Sequence, residues 1–197
     1  MKNYTPHVLL AVYLILFVVC AVSPYDRSVW WAENLPIMLL VLALVLIYRF
    51  YRFTALGYFM MFFLIIMHTI GGHFTFEKVP FDFITDLFGF SRNHYDRVAH
   101  FTVGFYAYPL AELLLRKKLV SSRWILFLYP LFTIVAVAGI YEIFEWLYAV
   151  SADESAGIAV LGSQGDIWDA QKDMLADSLG AVFALGLFWV MNRKQIG

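Results

Sequence analysis

The chain has 197 residues, 62% of them hydrophobic, 19% aromatic and only 15% charged. With a mean hydropathy of +0.72, it has too little polar surface to cover its apolar side chains in water, so a soluble fold is excluded. The formal net charge of −1 argues against a nucleic-acid partner, and Cys20, the single cysteine, excludes an intrachain disulfide and a thiolate cluster.

The first apolar run, 6–23, follows Lys2 and ends in a poor cleavage site, Cys20-Ala21-Val22-Ser23. It reads as a retained first span rather than a signal peptide, with His7 incidental and Cys20 a small buried hydrophobe. Further spans are expected over 35–50, 53–71, 95–115, 124–149 and 172–191, each near the ~20 residues that cross the hydrocarbon. Helical periodicity without short alternating strands excludes a barrel. Trp30, Trp31, Trp124, Trp146, Trp168 and Trp189 fall near span ends, where an aromatic belt sits. The expected fold is all-α: a polytopic transmembrane helical bundle with six transmembrane helices. It forms a single domain over 1–197, with two peripheral spans in 1–50 and a four-helix core over 53–191.

Lys2, Arg49, Arg52, Arg116, Lys117, Lys118, Arg123, Arg193 and Lys194 lie at the termini and in the second and fourth loops; these are nine of the 14 Lys and Arg residues. Arg27, Lys78, Arg92, Arg97 and Lys172 lie in the other three loops. Positive charge stays inside, so both termini are expected to be cytoplasmic. Every carboxylate except Glu112 and every histidine except His7 then falls outside or in the outer half. An ionisable group at membrane depth is by default a functional-site hypothesis. The outer loops 72–94 and 150–171 are long, and the Phe-rich first of them is expected to lie on the outer interface, packed against the bundle.

Along the chain, His68, Gly71, Gly72 and His73 end the third span. The double glycine is expected to break or loosen the helix, with His68 facing protein and His73 aligned with Glu77 only if helix resumes. His94 is expected to be exposed. Asp96 and His100 share a helical face that continues through the small residues Gly104, Ala107 and Ala111, so they point into the bundle. This pair either caps and orients the helix or serves as ligand or catalyst. Glu142 and Glu145 also share a face; two carboxylates this close call for a proton on one or a cation between them. Asp166, Asp169, Asp173 and Asp177 fall within an arc of about 80°, on a stripe continuing through Gly180 and Ala184. The helix dipole accounts for acids in a first turn, Asp166 and Asp169, but not for the deeper pair. The candidates for acid–base catalysis are therefore His100, Asp96, Glu142 and Glu145. Those for a divalent metal are Asp169, Asp173, Asp177, Glu142, Glu145 and His100. No metalloprotease, nucleophile-elbow, phosphate-loop or di-iron spacing occurs.

The runs Tyr95-Asp96-Arg97-Val98-Ala99-His100-Phe101, Tyr141-Glu142-Ile143-Phe144-Glu145-Trp146, Gly165-Asp166-Ile167-Trp168-Asp169 and Asp173-Met174-Leu175-Ala176-Asp177-Ser178-Leu179-Gly180 resemble the YjdF-type family of bacterial inner-membrane proteins. The likeness covers most of the chain and implies a multi-spanning protein of the inner (cytoplasmic) membrane, without implying an activity. A more distant likeness, over roughly the last hundred residues, is to VanZ-type proteins, associated with resistance to a glycopeptide antibiotic. That order is Asp-basic-x-x-His-Phe, Glu-x-x-Gln and Asp-x-x-x-Asn-x-x-Gly. Here Glu145 stands for the Gln and Asp177 for the Asn, both adding potential negative charge.

Three functions compete. The first is an outer-leaflet enzyme, using one or two divalent cations or acid–base residues on a membrane lipid or lipid-linked substrate. The second is a proton- or cation-coupled transporter, disfavoured because the charges cluster at one side and no inverted repeat is visible. The third is a non-enzymatic scaffold. A polar path reaching the cytoplasm favours transport; a closed outer pocket favours chemistry. The orientation is tested by reporter fusions at the C-terminus, for which a cytoplasmic signal is expected. A periplasmic signal overturns the orientation and the outer placement of the acids.

Overall fold

The computed structural model describes residues 4–196, so Lys2 lies outside the described residues. The helices are α1 (Thr5–Ala21), α2 (Arg27–Ile47), α3 (Ala55–Phe74), α4 (Asp82–Phe88), α5 (Tyr95–Val103), α6 (Ala107–Arg116), α7 (Arg123–Ser151), α8 (Glu154–Leu161) and α9 (Asp169–Ile196). A 3₁₀ turn, Gly104–Tyr106, joins α5 to α6 into one span. There is no strand among the described residues. Five segments among the described residues are long and apolar enough to cross a membrane, and α1 is a shorter apolar helix of 17 residues. Large apolar side chains such as Ile15, Leu39, Phe132, Ile140 and Val190 face outward, as lipid contact requires.

Local chemistry sets the helix starts. Asp26 caps α2, its Oδ1 accepting from the Ser28 and Val29 backbone N–H groups at 2.7 and 3.0 Å. The helix therefore begins well before the expected position 35. Glu33 and Asn34, which make that stretch look like a loop, are instead buried on its inward face. Thr54 caps α3 through Gly57 N–H at 3.1 Å. The double glycine does not break α3, which runs on to Phe74. It allows close approach: a Cβ on Gly72 would lie 2.5 Å from Asn34 Nδ2, and one on Gly71 2.4 Å from the Phe76 ring.

The tightest helix crossing joins the α5–α6 span to α9. A Cβ on Gly180 would lie 1.9 Å from the Phe101 carbonyl oxygen, and one on Gly104 2.2 Å from the Ala181 nitrogen. The two backbones touch, as small residues permit between membrane helices. Toward the end where α6 and α9 finish and α7 begins, Phe105, Tyr108, Leu126, Ile134, Leu185 and Phe188 fill an apolar core. At that basic end the lone acid Glu112 is a staple. It accepts from Thr54 N and Oγ1 at 2.8 and 2.7 Å and from Arg116 Nη1 at 2.8 Å.

At the opposite, polar end, Phe76 and Val79 tuck in beside Tyr95 and Ala99, while α4 turns Phe83, Leu87 and Phe88 outward. Helix α8 folds back so that Ala156 and Val160 pack on Val29 of α2. Five of the tryptophans are outward-facing; Trp30 is not, being buried against Phe17 and Trp31.

The glycine crossing makes a paired prediction. Gly180→Ala should force α5 and α9 apart and destabilise the protein by ~3 kcal/mol, the upper end of ordinary overpacking. Gly186→Ala, where a Cβ meets nothing within 4 Å, should leave thermal unfolding in detergent unchanged or raise it slightly, since alanine is the better helix former. Equal behaviour of the two variants would contradict the crossing.

Candidate functional site

The acidic stripe on α9 meets two different environments. Its first part is neutralised by bases from the α4–α5 loop and α5. Arg92 Nη1 donates to Asp169 Oδ1 at 2.7 Å and to the Ser163 carbonyl at 2.9 Å, and Nη2 donates to the Gly162 carbonyl at 3.1 Å. Arg97 also contacts Asp169, approaches Asp166 at 3.4 Å, and places Nε 2.7 Å from Asp173 Oδ1. Lys172 Nζ donates to Asp166 at 2.6 Å. Lys172, then the Trp168 backbone N–H, hold the Asp166 carboxyl down at about 2, against some desolvation, and the Lys172 and Arg97 charges add to the effect. Burial and the neighbouring Arg92 and Arg97 charges lower His94, which favours its neutral form.

The deeper part faces a cavity of about 180 Å³. Glu33, His68, Asp96, His100, Tyr141, Glu145 and Asp177 line its polar side. Ile37, Leu40, Leu64, Val103 and Val137 line its other side. Leu40, Leu64, Val103 and Val137 each lie one or two turns further into the membrane than the polar residue on the same helix. Val160 and Gly162, from α8 and the loop after it, contribute to the wall.

Two hydrogen-bonded groups face this space. His100 Nδ1 lies 3.3 Å from both Asp177 oxygens, and its Nε2 lies 3.7 Å from Asp96 Oδ1, beyond hydrogen-bond reach. Beside His100, its ring centroid 6.3 Å away, Tyr141 OH donates to Glu33 Oε2 at 2.9 Å; His68 Nε2 is 3.0 Å from that oxygen and 3.2 Å from the Tyr141 hydroxyl. Glu145 is 8% exposed and makes no hydrogen bond or ion pair among the described residues. One ligand atom each from Asp96, His100 and Asp173 lie within 4.8 Å of one another.

Of the residues singled out in the sequence, Asp96, His100, Glu145 and Asp177 line the cavity, and Asp173 reaches the Asp96–His100 pair. Glu142 is half-buried beside them, its Oε1 buried without a hydrogen-bond partner. Asp169 is held by two guanidinium groups, which already supply the charge a metal would bring. His68 joins the site; His73 does not, its Nδ1 lying 2.8 Å from the Cys20 carbonyl. His94 is half-buried, edge-on to Phe90. Sequence reasoning missed Glu33, Tyr141, Arg92 and Arg97 as parts of the site. The signal for Glu33 was a carboxylate just ahead of an apolar run with a capping Asp26 upstream. The signal for Arg97 was its place between Asp96 and His100.

A family model described as predicted membrane protein (DUF2238) matches residues 5–194. The inner membrane protein YjdF of Escherichia coli (strain K12) is 33% identical over 188 residues, which cover 93% of this chain and 90% of that protein. The chain belongs to this family. It is a multi-pass inner-membrane protein. No solved structure matches, and nothing in these comparisons supports the VanZ-type likeness.

The Asp166 latch carries a pH prediction. Its folded-state value of about 2 lies below the ordinary 3.8, so its stabilisation is fully present above about pH 4 and is lost as pH falls through about 2. The gap in thermal stability between wild type and Asp166→Asn should be constant from pH 7 to pH 5 and close between pH 4 and pH 2. A gap that persists unchanged at the acid end would show that charge is not what holds the latch.

Proposed function

We propose that this protein is an outer-leaflet enzyme that uses a divalent cation on a membrane lipid or lipid-linked substrate. The observation that carries this reading is a single cavity with acids and histidines from α2, α3, α5, α7 and α9 on one side and an apolar wall on the other. Such a space suits an amphiphile with its polar group among the side chains and its chain toward the bilayer.

Asp96, His100 and Asp173 are the ion ligands. Oxygen donors with one imidazole suit Mg, Mn, Fe or Zn. Asp177 is the positioning residue: by accepting from Nδ1–H it fixes the His100 ring and leaves the Nε2 lone pair toward Asp96. A cation there would polarise a phosphoryl or acyl oxygen. Tyr141, Glu33 and His68, within 3.2 Å of one another, are placed to hold and pass a proton beside His100. The apolar core between the cavity and the basic end favours this reading over a through-path for ions.

The test is metal analysis and Mn²⁺ titration of purified protein. Wild type is expected to bind the ion and to gain thermal stability from it. Asp173→Asn should lose binding while still inserting and folding. Asp177→Asn, which retains an acceptor for His100, should weaken it ~10–100-fold. A wild type indifferent to both Mn²⁺ and chelator, with Asp173→Asn equally stable, would leave the cluster a helix-to-helix tie.

A further inference from the structure

The charges around the cavity are unevenly matched. Glu33 is bonded to Tyr141 and His68, Asp177 to His100, and Asp173 lies against Arg97. Glu145 alone is more than nine-tenths buried, lines the cavity and has no partner among the described residues. A buried carboxylate left in this state is strongly unfavourable unless a cation or proton meets it. The bases Arg92 and Arg97 are engaged with the first part of α9, and the histidines of the cavity, His68 and His100, are paired with Glu33 and Asp177, so no base among the described residues pairs with Glu145.

Aromatic rings line the same cavity as Glu145. The His68 ring packs edge-on to Phe76 at 5.1 Å and to Tyr141 at 5.9 Å, and all three residues line the cavity. Aromatic rings beside a desolvated carboxylate are the chemistry that binds an organic ammonium, through ring quadrupoles and charge-assisted hydrogen bonds. The remaining acceptor capacity of Glu33, together with Glu145 and the Tyr141 hydroxyl, offers several acceptors to one N–H-rich group. Below them, Leu40, Leu64, Val103 and Val137 continue the space as an apolar wall.

We infer that Glu145, with Glu33, Tyr141 and Phe76, forms a recognition pocket for the primary ammonium of a phospholipid headgroup. This rests on the reading of the cavity as a lipid site and names its substrate class: an aminophospholipid, not an anionic or quaternary-ammonium one. The primary ammonium has three donors for the carboxylates; a trimethylammonium has none. The ammonium end lies on α2, α3 and α7, adjacent to the ion ligands on α5 and α9, with the Tyr141 and His100 ring centroids 6.3 Å apart.

The experiment is competition binding by native mass spectrometry in detergent, with phosphatidylethanolamine, phosphatidylcholine and phosphatidylglycerol as probes. Wild type is expected to retain phosphatidylethanolamine at least ~10-fold better than the other two, as one good charge-assisted contact allows. Glu145→Gln should erase that preference and keep Mn²⁺ affinity; Asp173→Asn should lose Mn²⁺ and keep the preference. Wild-type protein without the preference overturns the proposal with no variant needed. So does Glu145→Gln that keeps it, or that loses Mn²⁺ binding instead. Loss of Mn²⁺ binding by wild type with the lipid preference intact would overturn the ion chemistry and leave the ammonium pocket standing.

Discussion

The backbone contact between Gly104 and Gly180 is the constraint on which the polar end is built. Each glycine lies one turn below an acidic or basic site residue, His100 on α5 and Asp177 on α9. With Phe101 carbonyl and Gly180 in contact, those side chains have no choice but to meet. A larger residue at either glycine would widen the spacing of every pair above it, from His100–Asp177 to Arg97–Asp173. The 3₁₀ turn at Gly104–Tyr106 falls at the same level, so the α5–α6 span changes its winding where it crosses α9. In a bilayer, where helices gain little from hiding apolar surface from one another, close backbone packing of this sort is a principal source of association.

Above that crossing the acids divide according to what neutralises them. Asp166 and Asp169 face Arg92, Arg97 and Lys172, and their chemistry is that of a clamp; Asp173 stands at the join, 2.7 Å from Arg97 Nε and within reach of the Asp96–His100 pair. Asp96, Asp177, Glu33 and Glu145 face the cavity with only two histidines and a tyrosine for company. The division gives one stripe of similar residues on α9 two physical roles. Replacing an acid in the clamp strands a buried guanidinium; replacing Glu33 or Asp177 unpairs a histidine, and replacing Glu145 removes a carboxylate that has no partner among the described residues. The same Arg92 that binds Asp169 also grips the Gly162 and Ser163 carbonyls, so the clamp fastens the segment that walls the cavity on that side.

Much of this was legible because helical spacing is a hard constraint. Asp96 with His100, and Asp173 with Asp177, could only share faces, and the small residues beneath them marked those faces as packed. The helix interior of Asp26–Asn34 was not legible in the same way. A hydropathy window reads Glu33 and Asn34 as a break, whereas the chain buries both beside Gly72 and hands Glu33 to partners on α3 and α7. The double glycine was misread for a related reason: glycine weakens an isolated helix, but here it removes bulk where Asn34 and Phe76 must approach. Trp30 likewise follows packing against Phe17 rather than the interface preference of its residue type. Arg92 and Arg97 counted in the sequence only as charges that set orientation; nothing local in their spacing announces partners some seventy residues away.

The long reach of Glu33 has a consequence for biogenesis. Its hydroxyl partner, Tyr141, lies 108 residues downstream. At a synthesis rate of 5–20 residues per second, the earlier helix waits roughly 5–20 s before that partner is made. A lone carboxylate at a helix centre costs about 2.5–3.5 kcal/mol on insertion scales, an upper bound for Glu33, which lies in the second turn of α2. His68, arriving on the next helix, is the first group able to shelter Glu33. Helices α2 and α3 are therefore suited to leave the translocation machinery as a pair, with α7 docking later onto a hydrogen-bonding face that already exists.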